Sequence, residues 1–325
     1  MACASANLVA AEAKRADAFK GGSNKTCRFC DLRYENLSMR DMGGADLTGA
    51  FLHGVNLSWS VLKGGKFSSA NLSYSRMDWS DFDEADFSKA SIEGSALFRS
   101  TFRKADLRMA NLSRSNLAKA ELGEANLLTA ILRGSDLSEA RLNGAILRQA
   151  DLTGANLLGA RLRDADLQSA VLDRADLQGS DLFNANLAGA SLREARFSAT
   201  FISRANFRQS SLSRADFSNA VIDACNFNAA DLSGANFAGA SLHNVIFTGA
   251  NLCMAVLPDG TQGPCTPGQM VRYQSEEQAR QSVQSNMSAP PIDGAAPETG
   301  GQIVPMNRGR LLSPPTVPQP IGVSL

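Results

Sequence analysis

A large apolar residue stands at every fifth position from 32 to 257, 46 in succession, and each is Leu, Phe, Ile or Met. From Ala45 to Ala255 the residue two places earlier is small: Ala, Ser, Gly, Thr, Val or Cys. No regular element buries such a pattern. An α-helix turns about 100° per residue, so a step of five leaves roughly 140° of rotation and the leucines spiral away from any one face. A flat strand alternates its faces, and an odd period sends successive leucines to opposite sides. A chain that bends once per quintet resets that alternation. The large residue, here position i, and the small residue at i−2 then both point inward, and i−1, i+1 and i+2 point outward. Stacking such coils buries a core that no single repeat buries alone.

The other positions agree with these roles. In ADLTGANLLGARLRDADLQSA, residues 150–170, the residue before each Leu is Asp, Asn or Arg, as a solvated position requires. The residue before each Ala is often Gly, which tolerates the positive φ of a tight bend.

The quintets Ala45-Asp46-Leu47-Thr48-Gly49 and Ala155-Asn156-Leu157-Leu158-Gly159 resemble the A(D/N)LXX unit of the pentapeptide repeat family. The resemblance covers about residues 30 to 257. It implies an all-β fold: a right-handed quadrilateral parallel β-helix, four quintets to a coil and about 11 coils, some 55 Å long at the usual strand spacing. Three segments follow. Residues 1–26 read as a cap helix or as the remnant of a targeting peptide, with small-x-small patterns at Ala11-Glu12-Ala13 and Ala16-Asp17-Ala18. Residues 27–257 are the solenoid. All 11 prolines lie at or after Pro258, and proline removes ladder donors, so the register is expected to end there. Residues 258–325 form the third segment, a Pro/Gly-rich and mostly disordered tail, in which 268–286 suit a short polar helix and 288–325, rich in Pro, Gly and Ser, read as disordered.

Chemistry-bearing constellations are sparse. Cys27 and Cys30 form a C-x-x-C pair where the rod begins, and counting back in fives places both at inward positions. A redox dithiol, half a zinc site and a structural end cap compete; the absence of a strand-to-helix context and of two further ligands nearby favours the cap. Cys225 takes a small-residue position in the core. Cys253 points outward and is placed to bond Cys265, tacking the following loop to the last coil. The two histidines, His53 and His243, fall more than nine coils apart, so no Ser-His-Asp or Cys-His arrangement forms, and no glycine-rich phosphate loop is present. No catalytic, cofactor or metal residue is therefore assigned, and the chain is expected not to be an enzyme.

Surface charges alternate in sign along columns twenty residues apart, as in Glu84, Lys104 and Glu124, or Arg174, Glu194 and Arg214, which reads as weak ladders of surface pairs. Formal net charge is zero. A relative that mimics DNA to modulate gyrase or topoisomerase, an activity the resemblance brings into view, needs dense negative charge, which this rod lacks. One feature exceeds that background. Met39, Trp59 and Trp79 share the i+2 position in three successive coils, Tyr34 and Tyr74 share it on the adjoining side, and Phe51 and Phe98 are expected close by, with Asp78, Asp81, Asp83, Glu84 and Asp86 as a rim. Exposed aromatic clusters mark contact surfaces. The expectation is a non-catalytic interaction scaffold with a protein partner, no cofactor, no direct nucleic-acid binding and no transmembrane segment; a homodimer is compatible with it. Gyrase modulation and a thiol-redox role of Cys27 and Cys30 are the alternatives. The compartment is open: cytoplasmic, or periplasmic or exported if the N-terminus is a shortened signal peptide.

Overall fold

A computed structural model describes residues 16–22 and 24–265. The remainder of the 1–26 segment, the 268–286 helix and the 288–325 tail lie outside the described residues. Among the described residues, no helix is long and apolar enough to cross a membrane.

From Thr26↔Asp46 to Asn236↔Val256 the chain pairs in parallel with itself twenty residues on. Four quintets thus complete one turn, and every side repeats in the coil above. Each side is so short that most rungs are single bridges at i−1. Only on the side of Ile202, Ile222 and Leu242 do they lengthen into three-residue strands, β1 (Phe201–Ser203), β2 (Val221–Asp223) and β3 (Ser241–His243), parallel in that order.

The quintet 151–155 shows why the repeat has its composition. Asp151 N donates back to Ala130 O at 2.9 Å, while Leu152 N and Gly154 N donate forward to Val171 O and Asp173 O at 2.7 and 2.9 Å. Ala155 N closes the corner onto Leu152 O at 2.9 Å. One amide is left over, Thr153 N, and it donates to the Asp151 carboxylate at 3.1 Å. The Asp or Asn before each leucine is therefore the acceptor for the one backbone donor that the ladder cannot reach, which a protein must supply or leave to water. Where that residue is absent, an Asp or Asn at i+1 of the preceding coil substitutes: Asp78, Asp83, Asn143 and Asp173 accept the amides of Phe98, Arg103, Arg163 and Arg193.

Every corner turns through a left-handed residue at i+2, from Phe29 to Met254, and 32 of these are not glycine. A positive φ at the third turn residue alone is the signature of a type II turn. Inside, the leucines, phenylalanines and alanines form one continuous buried cluster. Serine at the small position is no exception, because its hydroxyl donates to a carbonyl, as Ser75 does to Leu52 and Ser95 to Leu72 of the coil below. Toward each end the leucine core gives way to stacked phenylalanines, such as Phe67 on Phe87 and Phe197 on Phe217 on Phe237, with ring separations of 4.5 to 4.9 Å set by the coil spacing. Gly65 makes room for this: a Cβ there would meet the Phe67 ring at 2.8 Å.

Both ends are closed. Residues 16–20 are helical and bury Ala16 and Phe19 in the core cluster. Lys20 pairs with Glu35 at 3.1 Å, and the Arg40 guanidinium donates to the Lys20 carbonyl. Beneath this helix Cys27 and Cys30 form a disulfide, both fully buried. At the other end the chain reverses, pairs Gln262 antiparallel to Val256, and is joined by a disulfide between Cys253 and Cys265. Gly263 N donates to Ala255 O, and a Cβ at Gly263 would lie 2.2 Å from the Leu252 carbonyl oxygen, so this closure requires glycine.

Candidate interaction surface

The four sides are named here by their inward residues in one coil: Leu52, Leu57, Leu62 and Phe67. The aromatic residues stand at the corners of the Leu57 side. At its first corner Tyr34 and Tyr74 flank His53, with ring centroids 5.4 and 5.5 Å away in edge-on contact. The Tyr34 and Tyr74 rings lie against Gly54 and Gly94 of the next coil, where a Cβ would fall within 2.6 and 2.7 Å of them. At the second corner Trp59 and Trp79 are stacked at 4.9 Å with their planes 4° apart, and the Arg99 guanidinium lies 4.7 Å over the Trp79 ring. Phe98 meets Trp79 edge-on at 5.9 Å. Trp59 remains 55% and Trp79 40% exposed, and Met39, first in the column, is 79% exposed. A stacked pair at coil spacing presents its edges outward. The face of Trp79 away from Trp59 is covered by Arg99.

Two expectations need correction. Phe51 is exposed, but it belongs to the column Asp31–Phe51–Asn71 at the start of the Leu52 side. That is a full side away from Tyr34 and two from Trp59, so it does not join the cluster. The residue count explains the slip: i−1 and i+2 of one quintet lie at opposite ends of a side. The acidic rim also has another role. Asp78 and Asp83 accept backbone amides, and Asp83 further binds Arg103 through Nε at 2.9 Å. Burial works to raise the Asp83 pKa, but the hydrogen bonds from the Arg103 side chain and amide and the Arg103 charge outweigh it and hold the carboxyl below its ordinary range. Asp81 accepts from the Thr101 hydroxyl at 3.0 Å. On the Leu57 side itself, the buried Ser58 hydroxyl has no hydrogen-bond partner among the described residues.

Beyond Trp79 the second corner continues as a groove of about 560 Å³, lined by Trp79, Arg99, Thr101, Lys119, Glu121, Glu139, Arg141, Gly159 and Arg161. The sequence reading missed it because it is made by an omission: the i+2 column loses its side chain at Gly159 while the neighbouring i−1 column carries long ones. Elsewhere on the surface, charges pair at short range, as in Arg114 with Glu93, Arg133 with Asp151 and Arg196 with Asp176. No group of three or more His, Cys, Asp or Glu residues is arranged to hold a metal ion among the described residues.

A parallel solenoid with four five-residue sides per turn defines a class of repeat proteins by itself. The pentapeptide repeats family matches in eight copies between residues 27 and 257, and the chain belongs to that family, whose fold is the right-handed β-helix. Among solved structures it is similar to HetL, a pentapeptide repeat protein involved in heterocyst differentiation regulation from the cyanobacterium Nostoc sp. strain PCC 7120, at 28% identity over 76% of this chain and 97% of that one, with a TM-score of 0.29. It is also similar to trypsin-treated QnrB1, a plasmid-mediated fluoroquinolone resistance protein, at 23% identity over 51% of this chain and 86% of that one, with a TM-score of 0.43. A third is Rfr23 from the cyanobacterium Cyanothece 51142, at 23% identity over 54% and 92%, with a TM-score of 0.28. No curated protein matches the sequence.

Proposed function

We propose that this chain is a non-catalytic interaction scaffold: a rod of about 11 coils whose Leu57 side, near the N-terminal end, receives a protein partner. One observation carries the reading. Both tryptophans of the chain stand stacked and half-exposed at one corner of that side, with Tyr34, His53 and Tyr74 at the other. Exposed Trp and Tyr at this density do nothing for the core. They are the residues that supply most binding energy in protein interfaces.

The alternatives find less support. Mixed-sign ion pairs along the rod are the opposite of the dense negative surface that a DNA mimic for gyrase or topoisomerase requires. A thiol-redox role for Cys27 and Cys30 requires an attacking thiolate to reach a sulfur, and both residues are fully buried. The test is affinity capture with the unmodified protein and with a Trp59→Ser/Trp79→Ser variant whose circular dichroism is unchanged. Loss of the partner from the variant is the expected result. Retention of the partner refutes the reading, and inhibition of gyrase supercoiling by the unmodified protein promotes the first alternative.

A further inference from the structure

The groove below Trp79 has a charge pattern that selects its occupant. Four cations and two anions line it. Both anions are already committed, Glu139 to Lys119 at 3.4 Å and Glu121 to Arg141 at 3.0 Å. Arg99 and Arg161 remain. Among the described residues neither guanidinium has a carboxylate partner; Arg99 lies on the Trp79 ring and the Phe98 ring instead. They sit three coils apart, which is about 14 Å along the corner. That distance is too long for one phosphate or one carboxylate to bridge. It equals four residues of extended peptide, and four is even, so side chains at positions j and j+4 of such a peptide point the same way.

We propose that this groove binds an extended acidic segment of a protein partner, lying along the corner with one carboxylate on Arg99 and another, four residues on, at Arg161; this rests on the scaffold reading above and gives its partner a chemistry. The bare backbone at Gly159 lets the segment lie close. Lys119 and Arg141 add positive potential between the two anchors while their glutamates prevent a continuous run of it. A polyanion of uniform charge meets Glu121 and Glu139 and is repelled. A sugar or a nucleic-acid base seeks an open aromatic face, and Trp79 has Trp59 on one face and Arg99 on the other.

The test uses the full chain and a synthetic heptapeptide, Thr-Glu-Thr-Ala-Thr-Glu-Thr with blocked ends, by calorimetry at low and at 0.15 M salt. Tryptophan emission is recorded in parallel, because both tryptophans lie at this corner and a carboxylate that draws Arg99 off the ring alters it. We expect binding that weakens with salt, an emission change, and an affinity at least about tenfold lower for Arg99→Gln/Arg161→Gln, since the double variant removes both anchoring charges at once. Arg208→Gln, an exposed arginine on the Phe67 side, should leave the affinity unchanged. A peptide with its two glutamates adjacent should bind at least several-fold more weakly. The proposal is overturned if the double variant binds as tightly as the parent, if Arg208→Gln weakens binding equally, if glutamate spacing makes no difference, or if a heparin oligosaccharide or oligo-dT displaces the peptide. Capture that depends on Trp59 and Trp79 while the peptide fails to bind sinks only the groove; a bound peptide with Trp-independent capture sinks only the scaffold surface.

Discussion

Two glycines on the Leu62 side separate backbone strain from packing. Gly144 holds the left-handed corner position with φ 66°, and Gly123, one place earlier in the quintet of the coil below, has an ordinary φ. A Cβ at Gly144 would meet only Glu124 Cγ at 3.6 Å, and one at Gly123 only Asn143 O at 3.8 Å, so neither Cβ clashes. Gly→Val at either position restricts the unfolded chain by a similar amount, and that term cancels between them. What remains is the left-handed penalty for a Cβ, roughly 1–2 kcal/mol, falling on Gly144→Val alone. Measured by urea denaturation at unchanged slope, Gly123→Val should lie within about 0.5 kcal/mol of the parent or above it, because the unfolded-state term favours the variant. Gly144→Val should lie about 1–2 kcal/mol below Gly123→Val, and Gly144→Asn close to the parent, because Asn tolerates this region. Equal stabilities for the two valine variants would refute the assignment of i+2 as the strained corner. A loss confined to Gly123→Val would reverse the register.

Other consequences follow from the same geometry. Ala155→Leu should destabilise the rod by about 1–3 kcal/mol, against less than about 1.5 kcal/mol for Leu157→Met, since both sites are buried and only the second swap conserves volume; thermal melts that coincide would contradict the inward i−2 position. The Asp106 carboxyl is held below its ordinary 3.8 by the hydrogen bond from Arg108, and Asp83 and Asp151 are lowered as well. Groups lowered in the folded state stabilise above their unfolded pKa and lose that contribution as pH falls through the folded value. Denaturation midpoints should therefore be flat from about pH 5 to 7 and fall below about pH 4, and a midpoint that rises on acidification would contradict the pairing. Burial pushes the Cys225 thiol up to about 11, so in a Cys3→Ser variant no thiol should react with a disulfide reagent at pH 8 until the protein is denatured.

Much of the architecture was legible because a strict period admits few folds. Large residues in a fixed register had to point inward, and Pro258 had to break the ladder. The roles of the polar positions were harder to read. Asp and Asn before each leucine pass for solvated turn residues until the unpaired i+1 amide of Thr153 is seen to need Asp151. Asp78 and Asp83 looked like a rim because their true partners, the amides of Phe98 and Arg103, lie twenty residues away. The corner glycines gave only a partial signal for backbone conformation, since Trp59, Glu84 and Arg114 adopt the same left-handed geometry. Column positions recovered the Trp59–Trp79 stack, whereas Phe51 looked close to Tyr34 only until its i−1 position, at the opposite end of the Leu52 side, was taken into account. The groove at Gly159 escaped for a related reason: a hollow is defined by what flanks a missing side chain, not by a motif.

The scaffold reading is tested most directly by hydroxyl-radical footprinting of the intact protein alone and with its captured partner bound. Indole rings oxidise readily when exposed, and Trp59 and Trp79 are 55% and 40% exposed in the free chain. Binding to the Leu57 side predicts that oxidation of Trp59, Trp79 and Met39 falls several-fold in the complex, while Phe201 on the Leu62 side and Met109 on the Phe67 side are labelled as before. Unchanged labelling of both tryptophans, with protection at Phe201 or Met109 instead, would contradict it.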